Sequence, residues 1–144
     1  MTSQPPLELK IALLHPQAVM PHKANPSDAC FDLVACEGVT IEARSTGMVR
    51  LGWAMQLEEG WEARVRGRSG LASRGIEAHH GTIDHLYRKE VKVILHNLSN
   101  EPLWVEPGDR VAQMSVAPVF PVALRQVEQV EETERGGFGS TGMK

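Results

Sequence analysis

Short runs of alternating apolar and polar residues, each cut off by a turn signal, are what most constrains the fold. EVKVILHN, residues 90–97, would turn Val91, Val93 and Leu95 to one side and Lys92, Ile94 and His96 to the other. That is the period-two pattern of a half-buried strand. Similar β-rich runs recur at LKIALL, GMVRLGWAMQL, WEARVRG, LWVE, RVAQMSVAPVF and VALRQVEQV. Breakers separate them: PHKANPSD, ACEG, EARSTG, LEEG, NLSNEP and EPGD. No window sustains the i, i+3, i+4, i+7 spacing of a helix. Nine Pro and thirteen Gly spread along the chain supply many tight turns. The expectation is an all-β fold, a sandwich, barrel or jelly roll, with no internal repeat and no second domain.

At 144 residues the chain fits one domain with a real core. The alternation fades after about residue 130, so residues 1–130 read as a single β domain and 131–144 as an acidic linker and a Gly-rich arm. A formal net charge of −3 argues against general binding to nucleic acid or an anionic membrane surface. An anionic ligand must therefore be met by a local cluster of cations. The opening MTSQPPLELK has neither a basic n-region nor an apolar h-region, so no secretory leader is expected. Cys30 and Cys36 lack metal-ligand spacing, and a reduced, cytoplasmic setting is the simplest reading.

Several segments could carry chemistry. In GRSGLASRG, residues 67–75, a tight turn would offer the Arg68 fork, the Ser69 hydroxyl and backbone donors beside Gly70 to one anion. A bare R-S-G is also a common surface turn. In HHGTIDHLYRKE, residues 79–90, Asp84 stands where a loop re-enters a sheet and could orient and deprotonate a water. Tyr87, the single tyrosine, could offer its ring to a sugar or base, or could be a half-buried strand residue. His79 and His80 would point to opposite faces of a strand, which disfavours a zinc site with His85. A hard cation such as Mg²⁺, held mainly by ligand phosphates and water, suits the chain better. Asp32 in FDLVA and Gln113 in GDRVAQM are polar groups inside apolar runs, facing either a site or solvent. Finally, ETERGGFGSTGMK combines Arg135, Phe138, Ser140 and Thr141 with several glycines. Such an arm could close on a flat-ringed, phosphorylated ligand, because base stacking contributes about 1–3 kcal/mol and can offset part of the ordering entropy.

Taken in order, FDLVA, RSGLA, GTIDxxYRxE, GDRVAQ and RGGFGSTG closely resemble the five motifs of trimeric dUTP diphosphatases (dUTPases), from about residue 22 to residue 142. The resemblance implies a β jelly-roll subunit of β-clip type in a homotrimer, with active sites at subunit interfaces. It implies Mg²⁺-assisted hydrolysis of dUTP to dUMP and pyrophosphate, which keeps uracil out of DNA and supplies dUMP for dTMP synthesis. By motif position, Asp84 would be the base. Tyr87 would pack under the deoxyribose, and Asp32 would meet the metal through water. Arg68, Ser69 and Gly70 would hold phosphates from a neighbouring subunit's side, helped by Gln113. The strand at residues 79–84, with His80, Gly81, Thr82 and Ile83, would read uracil through its backbone, and Lys92 is grouped with these substrate-binding residues. Phe138 would stack on uracil while Arg135, Gly139, Ser140 and Thr141 close on the phosphates as a lid.

The chain also departs from the family pattern. Cys30 and Lys89 stand where Gly is usual and Gly67 where Pro is usual, so a looser turn and an altered hairpin are expected. The arm places Arg135 two residues closer to Phe138 than the usual R-G-x-G-G-F, which weakens the expected clamp. A dCTP deaminase-like relative and a dUTP-binding regulatory protein are the alternatives. The first usually relies on a catalytic Glu, and the second gives no reason to keep Asp84 together with Asp32.

Overall fold

The structure, a computed structural model, describes residues 6–139 and residue 142. It is nearly all β. The strands are β1 (Lys10–Leu13), β2 (Phe31–Val34), β3 (Val39–Ile41), β4 (Thr46–Arg50), β5 (Trp53–Gln56), β6 (Trp61–Arg66), β7 (Ile76–Ala78), β8 (Gly81–Ile83), β9 (Lys92–Asn97), β10 (Leu103–Val105) and β11 (Arg110–Pro118). One helical turn, α1 (Ser69–Ala72), lies between β6 and β7. Every strand pair is antiparallel. The strands form four sheets, ordered β1-β5, β10-β3, β2-β11-β6-β8 and β4-β9-β7. Among the described residues no helix is long and apolar enough to cross a membrane.

The alternation in the sequence becomes a core. In β9, Val93, Leu95 and Asn97 are buried while Lys92 is exposed, and in β6, Ala63 and Val65 are buried while Arg64 and Arg66 face solvent. Trp53, Leu33, Leu51, Leu57, Leu95 and Met114 complete the packing between sheets. Each buried Leu or Val contributes roughly 1.5–3 kcal/mol. Asn97 is the polar member of this interior, and its bonds are satisfied. Its Nδ2 donates to Ile41 O at 3.0 Å and Glu101 O at 2.8 Å, and its Oδ1 accepts from Ser99 N at 3.0 Å and Ser99 Oγ at 2.7 Å.

Several sequence expectations need correction. GMVRLGWAMQL is two strands, β4 and β5, because the chain turns at Gly52 with φ +77. A Cβ there would lie 2.7 Å from His15 Cβ and 2.9 Å from Cys36 Sγ, so only glycine fits. VALRQVEQV forms no strand: β11 ends at Pro118 and the described residues from Val119 onward are exposed. The strand expected at 79–84 shortens to β8, and Asp84 sits where the chain leaves the sheet rather than where it re-enters. The turn expected at Arg68–Gly70 is the start of α1. The hairpin expected around Lys89 is absent, because β8 and β9 belong to different sheets and do not pair; Lys89 lies in the loop between them and takes no left-handed backbone.

A bulge in β11 sets the face that matters. Arg110 pairs with Val34 and Ala112 with Leu33, so two steps on β11 match one on β2 and both Val111 and Ala112 are buried. Past the bulge, Gln113 lies opposite Asp32 on one side and Arg66 on the other.

Candidate functional site

That register creates a row across the sheet, Arg66–Gln113–Asp32, with side chains on one face, since directly opposed residues in antiparallel strands share a side. Gln113 Nε2 donates to Gly67 O at 2.9 Å, tying the row to the chain just before α1. Asp32 is half-buried and stands between two cations, 3.7 Å from Arg68 Nε and 3.7 Å from Arg110 Nη1. Arg68 also donates from Nη1 to Arg110 O at 3.2 Å. Arg66, Arg68 and Gln113, with Gly81 and Thr82 of β8, border an open cleft of about 530 Å³, which holds Arg68, Ser69, His80, Gly81, Thr82 and Gln113 of the residues expected from the sequence; Asp32 and Arg110 do not line it. Gly70 lies just outside it, in the adjoining depression with Arg68, and a Cβ on Gly70 would meet nothing within 4 Å. Arg66 also borders the cleft. Among the described residues it has no carboxylate partner, whereas Arg64 is paired with Glu62. With Arg66 and Arg68 set against one lining carboxylate, Glu77, the cleft is a net-cationic recess with a hydroxyl and an amide, chemistry suited to a chain of phosphates.

A second open cleft, of about 550 Å³, holds Ile83, Asp84, Tyr87 and Lys92. The two clefts share one lining residue, Thr82 of β8. Asp84 and Tyr87 belong to one loop, closed by the Tyr87 N to Asp84 O bond at 3.0 Å and the Tyr87 Oη to Glu90 O bond at 2.7 Å. The ring of Tyr87 remains partly exposed to the cleft. Glu90 is gripped by the Arg50 guanidinium at 2.8 and 3.0 Å, and that pair holds its carboxyl below the usual carboxylate range. Burial, by contrast, pushes the Cys36 thiol up. Both Cys30 and Cys36 are free thiols.

The arm does not join either cleft within one chain. Arg135, Phe138 and Gly139 are exposed, and neither cleft includes them. Ser140 and Thr141 lie outside the described residues. Asp84 and Arg68 are likewise not brought into one cavity.

Among the described residues no three His, Cys, Asp or Glu side chains converge as a metal cage. One half-buried carboxylate among arginines fits a hard cation that takes its inner ligands from phosphate oxygens and water. Two arginines beside this row were not singled out from the sequence. Arg66 was signalled by the outward alternation of WEARVRG, but its place beside Gln113 follows only from register. Arg110 has no local signal, since it reaches Asp32 through the pairing of β11 with β2.

An antiparallel β protein with a phosphate-type recess and a separate carboxylate-and-tyrosine cleft is a nucleotide-binding scaffold in outline. Comparison with known proteins makes the outline particular: the chain belongs to the dUTPase family, whose model matches residues 16–142. It is 43% identical over 142 residues to the deoxyuridine 5'-triphosphate nucleotidohydrolase of Helicobacter pylori (strain P12), covering 95% of this chain and 98% of that protein. Among solved structures it resembles a variant of the Staphylococcus bacteriophage 80alpha dUTPase with dUpNHpp, at 25% identity and TM-score 0.86, covering 94% of this chain and 99% of that one. A variant dUTPase from phage phi11 of S. aureus, described with a structural Mg(II) ion, matches at 23% identity and TM-score 0.79 over 85% and 97% of the two chains, a likeness of fold. The jelly-roll expectation therefore holds.

Proposed function

We propose that the chain hydrolyses dUTP to dUMP and pyrophosphate at sites assembled between three copies of itself. Family membership gives the reaction class. The observation that carries the shared site is the separation of Asp84 and Tyr87 from Arg68, Ser69 and Gln113 into clefts that share only Thr82. One chain thus supplies each half of a site to a different neighbour, and closed cyclic symmetry completes every half.

Asp84 accepts a proton from the attacking water as its oxygen bonds to the α-phosphorus, and the bond to the bridging oxygen breaks to release pyrophosphate. The Tyr87 ring packs against the deoxyribose and leaves no room for the additional hydroxyl of ribose. Backbone donors and acceptors of His80, Gly81, Thr82 and Ile83 read the uracil edge, and Lys92 contributes a cation beside Asp84. Arg68, Ser69, Gly70 and Gln113 hold phosphates. Mg²⁺ bound to the phosphates, with Asp32 as a contact through water, would neutralise their charge. The arm of residues 131–144 closes over the site, with Phe138 on the base and Arg135, Gly139, Ser140 and Thr141 at the phosphates. Free Cys30 and Cys36 suit a reducing cytoplasm. There the reaction keeps uracil out of DNA and supplies dUMP for dTMP synthesis.

The test is pyrophosphate release from dUTP, dTTP, dCTP and UTP with Mg²⁺, beside Asp84→Asn. Release from dUTP alone, lost in the variant, is expected. Binding of dUTP without release by the native chain would overturn the reading in favour of a regulatory binder.

A further inference from the structure

The loop from Asp84 to Val91 carries both the base and the tyrosine, and half of its hydrogen bonds are to itself. Tyr87 N donates to Asp84 O at 3.0 Å, Tyr87 Oη to Glu90 O at 2.7 Å and Arg88 Nε to His85 O at 2.9 Å. A loop closed only on itself keeps its shape but not its position. Two ties fix it to the sheets. One is the backbone bond from Val91 N to Trp53 O at 2.9 Å. The other is the grip of Arg50, at the end of β4, on Glu90: Nη2 to Oε1 at 2.8 Å and Nε to Oε2 at 3.0 Å. Among the described residues it is the only side-chain hydrogen bond between this loop and a sheet, while the buried side chain of Val91 holds the loop's last residue in the core. The fork-on-fork geometry constrains angle as well as distance. Arg50 is itself braced, because Nη1 donates to Glu37 Oε2 at 3.3 Å on the turn between β2 and β3. The brace, the fork and the Glu90 carbonyl thus form a continuous path from the β2–β3 turn to the phenol of Tyr87.

We propose that the Arg50–Glu90 pair is a positioning element that sets where the Tyr87 ring meets the sugar, and so sets selectivity for deoxyribo- over ribonucleotides. The proposal rests on the reading of Tyr87 as the sugar-facing residue. Arg50 and Glu90 touch no substrate in this scheme and act through the ring. A plain stabilising ion pair would lower the melting temperature when cut and leave selectivity alone. A positioning pair changes selectivity in the folded protein, because small displacements of a contact group have large kinetic consequences.

Tyr87 is the only tyrosine, so the chain labelled with meta-fluorotyrosine gives one fluorine resonance assigned without further work. Arg50→Met and Glu90→Gln should each move that resonance toward free fluorotyrosine. Each should also lower the ratio of kcat/KM for dUTP over UTP by about tenfold. Arg50→Lys, which keeps the charge but loses the fork, should fall between. An unmoved resonance in folded Arg50→Met and Glu90→Gln overturns the anchor. A moved resonance with an unchanged ratio overturns the role in selectivity. If the native chain is inert toward dUTP, the functional reading and the selectivity role fail together, and the fluorine shift still decides separately whether the anchor exists.

Discussion

The separation of the two clefts yields a number. Consider Asp84→Asn and Arg68→Ala, one variant in each cleft. Losing the base removes about 10²–10⁴-fold of rate, so the first should be nearly silent alone. Losing a charge-assisted contact at about 1.5–3 kcal/mol lowers kcat/KM roughly ten- to a hundredfold, so the second should be weak. If each site takes Asp84 from one copy and Arg68 from a neighbour, randomly mixed trimers contain intact sites. With equal amounts, the first copy retains Asp84 half the time and the second retains Arg68 half the time, so about one quarter of sites are native in a cyclic trimer. Co-refolded protein should then release pyrophosphate from dUTP at about a quarter of the native rate, far above either parent. Native mass spectrometry of differently tagged copies confirms that mixed trimers have formed. Mixed trimers with no more activity than the parents would show that Asp84 and Arg68 act within one chain, and the shared-site argument would fail. A chain that sediments as a monomer refutes it sooner.

Three further outcomes follow from the same geometry. Arg66→Ala removes a cation beside Gln113 that has no carboxylate partner among the described residues, and kcat/KM for dUTP should fall about tenfold while the melting temperature stays put; an unchanged kcat/KM would remove Arg66 from the site. Asn97→Ala leaves Ile41 O, Glu101 O and the Ser99 donors without their buried partner, so urea unfolding should show a loss of about 2–4 kcal/mol. The carboxyl of Glu90 is depressed in the folded state by Arg50, with Lys92 and His15 adding smaller pulls, so its contribution is complete above the unfolded value of 4.5 and disappears as pH falls through the lower folded value. The stability gap between native protein and Arg50→Met, measured by denaturant unfolding from neutral pH downward, should therefore close in acid.

What could be read in advance depended on whether a property was local. EVKVILHN announced β9 because alternation is a property of the segment itself, and Val93 and Leu95 are buried as it required. GMVRLGWAMQL concealed its break, since a lone glycine inside a strand pattern does not say whether the chain turns there; His15 and Cys36 packed against Gly52 decide it. VALRQVEQV is rich in β-forming residues yet pairs with nothing among the described residues, because β propensity without a strict alternation specifies neither a face nor a partner. The site divides along the same line. Asp84 and Tyr87 were legible because a few consecutive residues place both on one loop. Arg66 and Arg110 were not, because each acquires its neighbour through the register of β11, which a bulge between Arg110 and Ala112 shifts by one residue. That bulge carries functional weight: without it, Gln113 would not lie opposite Asp32, and the row that joins Arg66 to Gln113 and Asp32 would be broken. Inserting one residue between Ala112 and Gln113 should therefore damage phosphate binding more than an apolar substitution at Val111, since it reverses the facing of Gln113 while the substitution alters only packing.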